Sequence, residues 1–183
     1  YSASTLKKKN AKESIGERGG VNIIEANEIA DGVVSFMKES VKKNIKRSCL
    51  VVTMNNSQRD LIDEEIRHRA STTPEVNTYM GMWDESMEPF IVKNLENVQG
   101  DERDFIFVST LFGPNKEGIT MQRFGPINHP KGHRRLNVLF TRAKQGLELY
   151  TSLTPNSVKE GGEKGRQIFK SYLDYAATQK IET

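Results

Sequence analysis

Four short apolar runs alternate with amphipathic stretches along this chain, and that alternation leaves few folds open. Residues 49–53 (Cys-Leu-Val-Val-Thr), 90–93, 105–110 and 147–151 are β-rich. Continuous runs of this length are the kind buried on both faces of a parallel sheet. Between them, apolar residues recur at helical spacing. Ile29, Val33, Phe36 (or Met37) and Val41 mark a helix over about 21–43, and Leu61, Ile62 and Ile66 mark one over 57–69. Leu136, Leu139, Phe140 and Ala143 predict a helix over 134–144, stopped by Gly146, and Ile168, Phe169, Tyr172 and Ala176 predict one over 166–179. Strands alternating with helices imply an α/β fold with a mostly parallel sheet covered on both faces.

Three further segments carry weaker signals. Residues 75–79 read as a short strand, and Met80, Met82, Trp83 and Met87 follow as either a base-stacking platform or ordinary core packing, of which packing is preferred. Residues 113–132 are rich in Gly, Pro and Asn and read as a long loop. Asn22 is a candidate helix cap, with Glu25 three residues on as in a capping box.

Size and charge bound the rest. At 183 residues the chain fits one domain with a core of its own. The net charge is +3, and residues 1–20 alone hold five basic against two acidic side chains. The body from 21 to 183 is therefore balanced, and any contact with nucleic acid has to be local. Residues 1–20 read as a flexible basic linker or loop closed by Gly19-Gly20. Cys49 is the one cysteine, which leaves no internal disulfide and fits a reducing, cytoplasmic setting. No apolar run reaches the roughly 20 residues of a membrane span. His129 and His133 flank Pro130-Lys131-Gly132 without further ligands nearby, so they read as loop histidines and no metal site is assigned. The chain opens on Tyr1 instead of methionine, which fits a fragment of something longer.

The stretch Arg134-Arg135-Leu136-Asn137-Val138-Leu139-Phe140-Thr141-Arg142-Ala143-Lys144 carries the chemistry. On a helix, Arg135 and Arg142 would project from nearly the same side, about 10 Å apart. Guanidinium forks suit phosphate oxygens, although a solvated arginine face gives the same spacing. This stretch resembles motif VI of superfamily 1 helicases. Residues 94–104, with Gln99-Gly100-Asp101-Glu102, resemble motif V, and residues 53–59, ending Gln58-Arg59, resemble motif IV. The resemblance spans about 21–177 and is closest to the Upf-like branch, in particular its bacterial multidomain members.

That resemblance implies a RecA-like, three-layer α/β/α domain over 21–183, the second of two motor domains. It implies that Arg142 is the arginine finger reaching the γ-phosphate of ATP and that Arg59 approaches the same phosphate. Gln58, Gly100 and Glu102 are then nucleotide contacts, Glu102 accepting from ribose hydroxyls. Arg135 is either a second phosphate contact or an ion-pair anchor for motif V, through Glu102 or Asp104. Thr53 and Asn94 fall where relatives touch the phosphates of single-stranded DNA or RNA. Met54, Asn94, Glu96 and Val98 depart from the family's usual residues, all on the nucleic-acid side. No Gly-x-x-x-x-Gly-Lys-[Ser/Thr] occurs in the sequence. The phosphate cradle and the Mg²⁺ ligands are thus expected on an N-terminal RecA-like domain of the same protein. The alternative is a non-catalytic RecA-like module that binds nucleic acid or a protein.

Overall fold

The computed structural model describes residues 3–8 (backbone only), 20–115 and 117–178. Among the described residues five strands form one sheet: β1 (Ala3–Lys8), β2 (Cys49–Thr53), β3 (Ile91–Asn94), β4 (Arg103–Ser109) and β5 (Ala143–Thr151). Their order is β1-β5-β4-β2-β3, and every pair is parallel. Five α-helices among the same residues cover it: α1 (Ile23–Lys42), α2 (Asn56–Ala70), α3 (Pro74–Gly81), α4 (Gly132–Phe140) and α5 (Lys164–Thr178).

The two faces follow from strand alternation. Leu50, Val52, Ile106, Val108, Leu147 and Leu149 pack with Leu136 and Leu139 of α4 and with Phe169 and Leu173 of α5. Their neighbours Cys49, Val51 and Phe107 face the other way, onto Ile29, Val33 and Met37 of α1, Ile62 and Ile66 of α2, and Val76 and Tyr79 of α3. The result is the three-layer α/β/α arrangement that the sequence implies. Asn22 caps α1 by accepting from the Glu25 amide at 3.1 Å, and Asn55 caps α2 by accepting from the Gln58 amide at 2.8 Å.

Four expectations are corrected. Residues 75–79 belong to helix α3, because Pro74 sits in its first turn and Val76, Tyr79 and Met80 recur at helical spacing. The motif VI helix stops at Phe140, and Ala143 already pairs with Arg103 of β4, so Arg142 lies in the turn between helix and strand. Gly146 is no helix stop. It lies inside β5, where an added Cβ would meet the Phe105 ring at 2.5 Å. Finally, Ala3–Lys8 is strand β1 beside β5, although the expected linker covered it. The rest of that linker, apart from Gly20, and Gln179 of the last helix lie outside the described residues.

Trp83 is buried, with its ring 6.4 Å from that of Tyr79 and the Lys46 ammonium 4.9 Å above it. That is core packing. Met87, by contrast, is exposed.

Candidate functional site

A parallel sheet has two chemically different edges, and the motif residues divide between them. At the amino edge, β4 and β5 start side by side, Arg103 paired with Ala143. Glu102 and Arg142 are the residues just before them. The Arg142 Nη1 donates to Glu102 Oε1 at 2.9 Å, with side chains 27% and 54% exposed. The Arg142 Nε is shielded from solvent and has no hydrogen-bond partner among the described residues. A partly exposed guanidinium held through Nη1 by one carboxylate oxygen suits a further oxyanion at its outer face.

Gly100 stands two residues before Glu102 with φ +91°, a backbone conformation that glycine adopts without cost. An added Cβ would meet nothing within 4 Å, so conformation and not close approach calls for glycine there. Arg135 ties down motif V through Glu96, with Nη2 to Oε1 at 3.1 Å. The carboxylate it meets is that of Glu96, not of Glu102 or Asp104.

The carboxyl edge holds the other set. Register aligns Thr53 with both Asn94 and Ser109 on one rung. The Thr53 side chain is buried and its Oγ1 donates to the Asn55 carbonyl at 2.7 Å. Asn94 is also buried; its Nδ2 donates to Asn56 Oδ1 and its Oδ1 accepts from the Asn97 amide at 3.1 Å. Gln58 is fully buried, with its Oε1 accepting from the Asn22 amide at 2.8 Å and its Nε2 donating to the Asn22 carbonyl and Ser109 Oγ. It fastens α2 to the start of α1.

Arg59 lies one turn into α2, bonded to Asp60 Oδ1 at 2.6 Å and to Asn56 Oδ1 at 3.1 Å. β4 runs from Arg103 to Ser109. At about 3.3 Å per residue the two edges are roughly 20 Å apart. Arg59 thus follows a strand at the carboxyl edge and Arg142 precedes one at the amino edge, and among the described residues Glu102 is the carboxylate bonded to Arg142.

One charged residue escaped the sequence reading. Glu25 accepts from Ser109 Oγ and from the Leu111 amide, both at 2.6 Å, at the carboxyl end of β4. Burial pushes its carboxyl up to about 7, against the opposing pull of these hydrogen bonds. The capping-box spacing Asn22-x-x-Glu25 concealed it. Asn22 does cap the helix, but its backbone N–H goes to Gln58 and not to the Glu25 carboxylate.

Among the described residues no group of three or more His, Cys, Asp or Glu is placed to hold a metal ion. No helix among them is long and apolar enough to cross a membrane.

Comparison with known proteins adds to this geometry. The AAA domain family matches residues 2–152. A protein named as an uncharacterized ATP-dependent helicase, MG140 of Mycoplasma genitalium, is 35% identical over 129 residues, 67% of this chain. Its homolog in Mycoplasma pneumoniae is 33% identical over 152 residues, 79% of the chain. The chain spans 11% of the length of each. Among solved structures, the plantazolicin methyltransferase BpumL aligns over 85% of this chain and 58% of its own, at 11% identity and a TM-score of 0.34, too low to bear on the fold.

Proposed function

This chain belongs to the AAA domain family and is a superfamily 1 helicase domain, and we propose that it serves as the second motor domain of an ATP-dependent helicase or translocase. In this reading Arg142 is the arginine finger and Glu102 the ribose contact of an ATP site completed by an N-terminal RecA-like domain of the same protein. The observation that carries it is the Arg142–Glu102 contact at 2.9 Å, made by an arginine side chain that stays 27% exposed.

The fit to a triphosphate rests on those donors. The partly exposed guanidinium donates through Nη1 to one oxygen of Glu102, which leaves its outer N–H groups to meet phosphate oxygens. Bound ATP with Mg²⁺ supplies the transferable phosphoryl group and the metal's neutralising charge. Arg142 adds a second, movable positive charge where negative charge develops. Glu102 then has two duties: it orients the guanidinium while the cleft is open, and it accepts from sugar hydroxyls once nucleotide arrives. Arg135, through Glu96, holds motif V at the height where Glu102 can do so.

Single-stranded DNA or RNA crosses the carboxyl edge in this proposal. Thr53 and Asn94 shape that edge from within, since their side chains are committed to Asn55, Asn56 and Asn97. Contact with the strand falls to backbone amides and neighbouring polar side chains.

The test is ATP hydrolysis by this 183-residue chain beside the full-length protein, each with single-stranded nucleic acid. Full-length protein is expected to turn over ATP and the chain alone to show none. Turnover by the chain alone would remove the divided site.

A further inference from the structure

Arg103 is 2% exposed, and its hydrogen bonds go to main-chain carbonyls, while its charge also acts on the Glu88 carboxylate. Nη1 donates to the carbonyl of Glu102 and Nη2 to the carbonyl of Pro89, both at 2.8 Å. Its Nε is buried without a hydrogen-bond partner among the described residues. A buried cation is costly even with a carboxylate in range, and an apolar side chain of similar size often serves stability as well or better. Stability alone therefore gives no reason for arginine here.

The backbone supplies one. The Arg103 amide donates to the Arg142 carbonyl at 3.2 Å, while its side chain grips the Glu102 carbonyl. One residue thus touches the main chain of both members of the Arg142–Glu102 pair. The β4–β5 register shifts beside this contact: Arg103 to Phe105 on β4 faces Ala143 to Gly146 on β5, so the extra residue falls in β5. Asp104 at that shift is pinned on two sides. The Ser48 amide donates to its Oδ2 at 2.8 Å and Gln145 Nε2 to its Oδ1 at 3.0 Å.

We infer that Arg103 is a positioning residue of the ATP site, fixing the spacing of Arg142 and Glu102 by clamping their backbones from beneath. The inference rests on the function proposed above. Lysine keeps the charge but cannot reproduce the two-pronged reach to Glu102 and Pro89. Misplacement of catalytic groups by about 1 Å costs on the order of a hundredfold in rate.

The test uses the full-length helicase carrying Arg103→Lys, with Arg103→Met as a second variant and Arg142→Ala alongside. Turnover and KM for ATP are measured at saturating single-stranded nucleic acid, with the melting temperature of each protein. For Arg103→Lys the expected result is kcat lowered about tenfold or more and KM for ATP raised several-fold, in a protein that melts near the wild type. Partial unfolding lowers apparent kcat in proportion to the lost fraction but leaves KM where it was. A wild-type KM in Arg103→Lys therefore overturns the inference, whether or not kcat falls. If Arg103→Met fails to fold, Arg103→Lys decides alone, because it retains the cation. The two levels separate cleanly. Full turnover by Arg142→Ala removes the proposed site and this inference with it, whereas an inactive Arg142→Ala beside a normal Arg103→Lys removes only the role of Arg103.

Discussion

Arg142 and Glu102, forty residues apart in the chain, meet at 2.9 Å on the amino edge of the sheet. The meeting follows from strand order: β4 and β5 are neighbours in register, so the residues preceding them are neighbours too. The pair is partly exposed, and such pairs contribute about 0–1 kcal/mol to stability. Its value must lie elsewhere, in holding a guanidinium and a carboxylate ready at one opening.

Glu102→Gln separates the two contributions. The variant is expected to lose no more than about 1 kcal/mol of stability. In the full-length protein its KM for ATP should rise several-fold, because an amide oxygen accepts more weakly from ribose hydroxyls than a carboxylate. Steady-state ATPase kinetics beside a denaturant titration check both. An unchanged KM would take Glu102 out of the nucleotide contacts.

Gln58→Leu probes a residue whose motif suggests ligand contact and whose burial suggests structure. Its amide oxygen accepts from the N–H of Asn22, which leucine would leave buried and unpaired, whereas the Asn22 carbonyl keeps the Ala26 amide as donor. A buried group left without its partner costs about 1–3 kcal/mol. The expected outcome is a stability loss of about 1–3 kcal/mol in urea unfolding. KM for ATP in the full-length protein should stay unchanged. A raised KM without destabilisation would return Gln58 to the nucleotide site.

Glu25 makes stability depend on pH. Its carboxyl is raised from 4.5 to about 7 by burial, so the folded state holds a proton that the unfolded state releases. Below about 4.5 both states are protonated and stability is at its full value. As pH rises towards 7 stability falls, by about 3 kcal/mol in all, and then levels off. Glu25→Gln lacks this group and should gain about that much on the wild type between pH 4.5 and 8. Parallel stability curves for the two proteins across that range would contradict the assignment.

The fold was legible where local pattern and tertiary environment agree. Cys49–Thr53 is apolar throughout because β2 is covered on both faces, and the sequence says so directly. The end of α4 was not legible. The apolar spacing of Leu136, Leu139, Phe140 and Ala143 continues past Phe140, and only the pairing of Ala143 with Arg103, forty residues earlier, turns the chain into β5. Non-local pairing of this kind leaves no mark in a window of ten residues. In residues 75–79, Pro74 was the overlooked signal.

The site divides in the same way. Motif resemblance singles out Arg142, Glu102 and Arg59, but a motif does not say on which edge of the sheet a residue ends. Arg59 follows a strand and Arg142 precedes one, and that difference sets them at opposite edges. Gln58, Thr53 and Asn94 look like free polar donors in a sequence. Only the packed structure has their side chains turned inward and committed. Arg103 and Glu25 are ordinary charges in the sequence, and burial alone makes them notable.

The central claim is that this chain contributes a guanidinium to a nucleotide whose cradle lies on another domain, and Arg142→Ala in the full-length protein tests it most directly. Binding of ATP and its hydrolysis should be measured on the same preparation. The account predicts near-normal binding with turnover reduced by on the order of 10³-fold or more, the usual worth of an arginine finger. Wild-type turnover in that variant would contradict it.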